Sequence, residues 1–137
     1  MVKIEKEPFS ILFARFSLFL VYFWFGILKV FDLSPATPLV NALQAQTIPF
    51  MNPSQFIFLF GIFEVLIGIG FLIPRLTKII FYVFLFHMIT TIMPLVILPQ
   101  VVWVGRFIPT LEGQYIIKNI VLISLAVFIY QYHEKKK

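Results

Sequence analysis

Phe56-Ile57-Phe58-Leu59-Phe60-Gly61-Ile62-Phe63-Glu64-Val65-Leu66-Ile67-Gly68-Ile69-Gly70-Phe71-Leu72-Ile73 is an apolar run whose one ionisable residue, Glu64, stands at its centre. Its length matches the ~20 residues that an α-helix needs to cross ~30 Å of hydrocarbon. A charged residue at the middle of such a helix costs roughly 2.5 to 3.5 kcal/mol on insertion scales, and it faces the protein interior with a partner, a proton or a ligand. The run therefore predicts a membrane-embedded helix bundle, and function turns on what surrounds Glu64.

Working outward, three further apolar stretches appear, and the predicted spans are residues 9–31, 54–73, 76–97 and 113–132. These make an all-α membrane protein, a four-transmembrane-helix bundle forming one integral membrane domain over residues 1–137. The first stretch is too long, and lacks a small-residue cleavage pattern, to be a cleaved signal peptide. Between the first two spans, residues 34–53 are polar, uncharged and punctuated by proline. Their middle, Pro38 to Ala45, predicts a short amphipathic helix lying on the membrane surface. The Pro74-Arg75-Leu76-Thr77-Lys78 turn makes the second and third spans antiparallel neighbours, and Trp103 in the third connection suits the headgroup level.

Composition agrees with this class. Hydrophobic residues are 61% of the chain and charged ones 12%, against about 45–50% and about 25% in soluble domains; mean hydropathy is +0.99. The absence of cysteine removes disulfides, thiolate catalysis, iron–sulfur clusters and cysteine-ligated zinc. The net charge of +5 comes largely from Lys3 and Lys6 at one terminus and Lys135, Lys136 and Lys137 at the other. These lysines flank apolar segments and form no basic groove with stacking aromatics, so the partner is a lipid surface and no nucleic acid is expected. The Arg75/Lys78 turn is also basic, while the first loop has no Lys or Arg and the third only Arg106. The positive-inside rule then places both termini in the cytoplasm of a cell with an inner membrane, and the two long connections outside.

Polar residues within the spans form a pattern. Arg15, Tyr22 and Lys29 recur every seven residues, with Gly26 three before Lys29, and so share one stripe of the first helix. Gly61 and Gly68 bracket Glu64 at i−3 and i+4, allowing a neighbouring helix close to the acid and able to supply its counter-charge. His87 is followed by Thr90, Thr91 and Pro94, and the proline frees the Thr90 carbonyl. Gln114 and Lys118 stack at i and i+4 on the fourth helix, with Asn119 adjacent. Glu64 and His87 are the candidate proton-handling residues. Arg15, Tyr22, Lys29, Thr90, Thr91, Gln114, Lys118 and Asn119 are candidates for ligand binding or a buried polar network.

Each residue also has a plainer reading. Lys29 and Lys118 lie near helix ends and can snorkel to the interface, and Arg15 can act as an anchor. Glu64 can be a structural ion pair or a neutral hydrogen-bonded acid, and His87 a satisfied packing residue. One buried histidine is too few for a metal site, and none is predicted; haem would need a second axial group.

The Arg near the start of the first helix, Gly26-x-x-Lys29 at its end, Gly61-x-x-Glu64-x-x-x-Gly68 and Gly113-Gln114-x-x-x-Lys118-Asn119 together resemble the DoxX family of small four-helix bacterial membrane proteins, over roughly residues 12 to 130. Some relatives carry an acid where this chain has Asn119. The resemblance implies a membrane subunit linked to redox chemistry or oxidative stress, such as that of a thiosulfate:quinone oxidoreductase. On this reading the bundle binds a quinone or another apolar small molecule, Glu64 or His87 passes a proton, and Lys29 or Lys118 holds an anionic state of the ring. With no flavin, haem or iron–sulfur motif here, the electron donor is a redox partner protein. The alternative is a non-enzymatic scaffold or a proton-coupled small-solute carrier, the latter working as a homo-oligomer.

Overall fold

The first apolar stretch folds as helix α1, Phe9–Val30, and its seven-residue stripe becomes the buried face: Ile11, Arg15, Leu18, Tyr22, Gly26 and Lys29 all turn inward. In this computed structural model, which describes residues 6–137, Lys3 lies outside the described residues. The later elements are α2 (Thr37–Thr47), α3 (Pro53–Phe71), a 3₁₀ turn (Pro74–Leu76), α4 (Thr77–Ile92), α5 (Pro94–Ile97), α6 (Pro99–Val102), a two-stranded hairpin of β1 (Trp103–Gly105) and β2 (Ile108–Pro109), and α7 (Leu111–Lys135). Among the described residues, four helical segments are long and apolar enough to cross a membrane: Phe9–Val30, Pro53–Phe71, Pro74–Ile97 and Leu111–Lys135. They follow one another around a ring, α1 beside α3, α3 beside α4, α4 beside α7 and α7 beside α1, with the most extensive packing between α1 and α3.

Local chemistry sets the boundaries. Asn52 caps α3 by accepting from the Ser54 amide at 2.9 Å, and Pro53 follows at the first helical position. Thr110 caps α7 by accepting from the Gly113 amide at 3.2 Å, which starts that helix two residues before the predicted 113. α1 ends in a Schellman motif: the Leu33 amide donates to the Leu28 carbonyl at 2.8 Å, the Asp32 amide to Lys29 at 3.2 Å, and Asp32 takes the left-handed position, φ 56°. The third span is not one continuous helix. α4 stops at Ile92 and α5 restarts at Pro94, because proline has no amide to extend the ladder.

The segment predicted as a surface helix at Pro38 to Ala45 forms α2, and it packs on α3 and α5 with Val40, Leu43 and Gln44 buried. Gln44 donates to the Ile48 and Met51 carbonyls at 2.6 and 2.8 Å and holds the approach to α3. The third connection, read from sequence as a loop, contains α6 and the hairpin. The Trp103 indole N–H donates at 3.0 Å to the Leu95 carbonyl, which the missing amide of Pro99 leaves without its helical donor. The core runs through Leu18, Ile67, Phe71, Phe84, Met88, Ala126 and Ile129, while Phe13, Trp24, Leu66, Phe86 and Ile120 point outward, where a membrane helix meets lipid.

Candidate functional site

The glycines decide which helix reaches Glu64. A Cβ on Gly26 would lie 2.7 Å from the Gly61 carbonyl oxygen, one on Gly61 2.8 Å from Lys29 Cβ, and one on Gly68 2.9 Å from the Phe23 amide nitrogen. The α1 and α3 backbones therefore touch along an antiparallel seam, as the small-residue spacing predicts. Lys29 stands level with Gly61, near the C-terminal end of α1. Because Cα–Cβ bonds tilt toward a helix's N-terminus, its side chain turns back into the span instead of snorkelling out. Its Nζ donates to Glu64 Oε2 at 2.7 Å.

The third partner comes from α4. His87 Nε2 lies 3.2 Å from Glu64 Oε1, and Tyr22 Oη is 3.1 Å from His87 Nδ1. The imidazole tautomer protonated at Nε2 suits both contacts, with the Tyr22 hydroxyl donating to Nδ1. Yet the Nε2 position is close without being aligned, and among the described residues it forms no well-directed hydrogen bond. The result is a chain of four titratable side chains, Tyr22–His87–Glu64–Lys29, on three helices, with exposures of 4%, 2%, 7% and 6%. Phe60 and Phe63 flank the imidazole with ring centroids at 4.9 and 5.7 Å, and Phe84 lies 5.5 Å from the Tyr22 ring. These low-dielectric walls strengthen every contact within the chain.

The remaining candidates fall into three places. Thr90 and Thr91 adjoin the quartet: their hydroxyls donate to the His87 carbonyl at 2.6 and 3.1 Å, and Thr91 Oγ1 is 3.5 Å from Nδ1. Arg15 belongs to a separate cluster at the other end of the bundle. Its Nε and Nη2 hold Glu7 through two 2.8 Å bonds, Nη1 donates to the Phe71 carbonyl at 3.0 Å, and Nη2 donates to Thr77 Oγ1 at 2.9 Å. This guanidinium ties the end of α3 and the start of α4 to α1. Gln114 and Lys118 are exposed on α7 and Asn119 is half-buried; Lys118 sits over its own neighbour Tyr115, 5.5 Å from the ring centroid. Thus α7 brings no polar group to Glu64, and the candidates Gln114, Lys118 and Asn119 stand apart from the quartet.

Sequence reasoning missed Glu7 and Thr77 as partners of Arg15 and the phenylalanine walls of His87. Only contact across helices reveals them, since Phe60 and Phe63 look like the other phenylalanines of the run. Two surface grooves, one lined by Ser54, Gln55, Phe58 and Leu59 and one by Ile89, Ile92, Met93, Val96 and Ile97, include no member of the quartet. No group of three or more His, Cys, Asp or Glu side chains able to hold a metal occurs among the described residues.

Fold and site together define a multi-pass helical membrane protein with a buried polar chain at its centre. No protein-family model, curated protein or solved structure matches the chain.

Proposed function

We propose that this is a DoxX-like subunit of a bacterial inner membrane that handles protons for a redox carrier, a quinone or a comparable apolar ring. The observation that carries the reading is the continuous chain Tyr22–His87–Glu64–Lys29, with links of 3.1, 3.2 and 2.7 Å. Four adjacent ionisable groups in a dry bundle are costly for packing alone and suited to passing protons. The under-bonded Nε2–H of His87 fits a ligand carbonyl oxygen, and the apolar groove on α4 and α5 offers a wall for a lipidic tail. A quinone held there would supply two-electron, two-proton redox chemistry, with a partner protein carrying a flavin, haem or iron–sulfur group as the electron donor. His87 would orient the ring and pass the two protons in turn from Nε2, Glu64 would hold each replacement proton, and Lys29 would balance the carboxylate's charge between transfers. Orientation follows the charges: Lys6, Arg75, Lys78 and Lys135 to Lys137 face the cytoplasm with both termini, and α2 and the hairpin face outward.

Extraction in mild detergent followed by lipid analysis tests this reading. Quinone co-purifying with the wild type and lost from Glu64→Gln supports it; a quinone-free protein whose Glu64→Gln variant leaves redox-stress tolerance unchanged overturns it. A second reading, a scaffold without ligand, is favoured by one observation, the closure of Glu64 between Lys29 and His87. It expects no quinone under any condition.

A further inference from the structure

At the end of the bundle far from α2, helices α4 and α7 meet in a seam unrelated to the quartet. Tyr82 on α4 and Tyr130 on α7 bring their hydroxyl oxygens within 3.4 Å, and the Tyr130 ring stacks on Phe81 at 4.3 Å. One turn toward the helix ends, Glu134 pairs with Lys137 at 2.8 Å and also lies within electrostatic reach of Lys78 and His133. Two lysines and His133 thus gather around one side-chain carboxylate. The side chains are also graded along the seam. Lys78 and Tyr82 are four residues apart on one face of α4, about 6 Å in depth, and the same strip continues into Phe86 and Ile89, each 63% exposed.

A cationic level, a hydroxyl level and an apolar level in that order match the phosphate, glycerol and acyl regions of one phospholipid. A free phosphate would use the first level alone. We propose that the α4–α7 seam is a binding site for an anionic phospholipid, with Lys78 and Lys137 on the phosphate, the Tyr82 and Tyr130 hydroxyls on the glycerol ester oxygens, and an acyl chain along Phe86 and Ile89. Anionic headgroups are recognised by such basic clusters at the membrane surface, and the paired tyrosines localise this one to a single seam.

Native mass spectrometry of the full chain in neutral detergent, titrated with phosphatidylglycerol or phosphatidylcholine of the same acyl chains, tests the site. We expect phosphatidylglycerol to be retained in preference. Lys78→Gln should weaken that preference about fivefold, the value of one lysine near an anionic surface. The Tyr82→Phe/Tyr130→Phe double variant, which keeps the ring packing and hence the fold, should weaken retention of both lipids at least about twofold through the lost hydrogen bonds to their shared ester oxygens, while leaving the preference unchanged. Lys6→Gln makes the same charge change on a residue before α1 and should leave it intact. Equal retention of the two lipids, an equal effect of Lys6→Gln and Lys78→Gln, or displacement by inorganic phosphate would overturn the proposal.

Discussion

Lys29 shows how one side chain is read differently by position and by direction. Its place near the end of a span is compatible with snorkelling, but the backward tilt of helical side chains carries its ammonium inward to Glu64, 2.7 Å away. Removing one partner of a buried pair leaves an uncompensated charge, so Lys29→Met should lower the unfolding free energy by about 3–5 kcal/mol. The Lys29→Met/Glu64→Leu double variant, which removes both charges, should regain most of that loss. Chemical denaturation in detergent checks both, and equal instability of the single and double variants would contradict the account. The cost of Glu64 was legible from sequence because a mid-span acid demands a partner. The partner's identity was not, because Arg15, Lys29 and Lys118 are equal in one dimension and differ only in which helix face and depth the packing gives them.

At the scale of elements, the seam between α1 and α3 is set by atoms that are absent. Gly61 has the Gly26 oxygen at 2.7 Å from its would-be Cβ, while at Gly105 in the hairpin the nearest atom, Ile108 Cδ1, lies at 3.6 Å. Gly61→Ala should therefore force the helices apart and cost about 1–3 kcal/mol, whereas Gly105→Ala should stay within about 0.5 kcal/mol of the wild type. Thermal unfolding of the two variants side by side reads the difference. The i−3 and i+4 placement of Gly61 and Gly68 around Glu64 made the close face visible in the sequence. The hairpin was invisible: Trp103-Val104-Gly105 is too short to show a two-residue alternation, and the bonds from Thr110 and Trp103 back to the carbonyls of Val101 and Leu95 that flank it span eight or nine residues. Likewise Pro94 was legible as freeing the Thr90 carbonyl, but the packing of α5 on α2 shows only in the contacts.

Across the whole molecule, the buried charged groups lie at one end and at the centre, and the other end is covered by an uncharged helix. The Arg15–Glu7–Thr77 cluster locks the lysine-rich end, the quartet occupies the middle, and α2 packs over α3 and α5 at the other end. The number of spans was legible because each is an apolar run of membrane length. The ring order was not, since only contact shows that α7 gives the quartet no polar group. The lock and the α1–α3 seam have structural roles by geometry, and among the described residues the quartet alone combines several ionisable groups with an under-bonded donor, so the functional claim rests on it. That claim is tested most directly by thermal unfolding in detergent with and without decylubiquinone, for the wild type and Glu64→Gln. A bound ligand at 100 times its Kd stabilises by about 2.7 kcal/mol, several degrees in Tm for a chain of this size. We expect that rise in the wild type and its loss in Glu64→Gln; an unchanged Tm in the wild type, or an equal rise in both proteins, would overturn the claim.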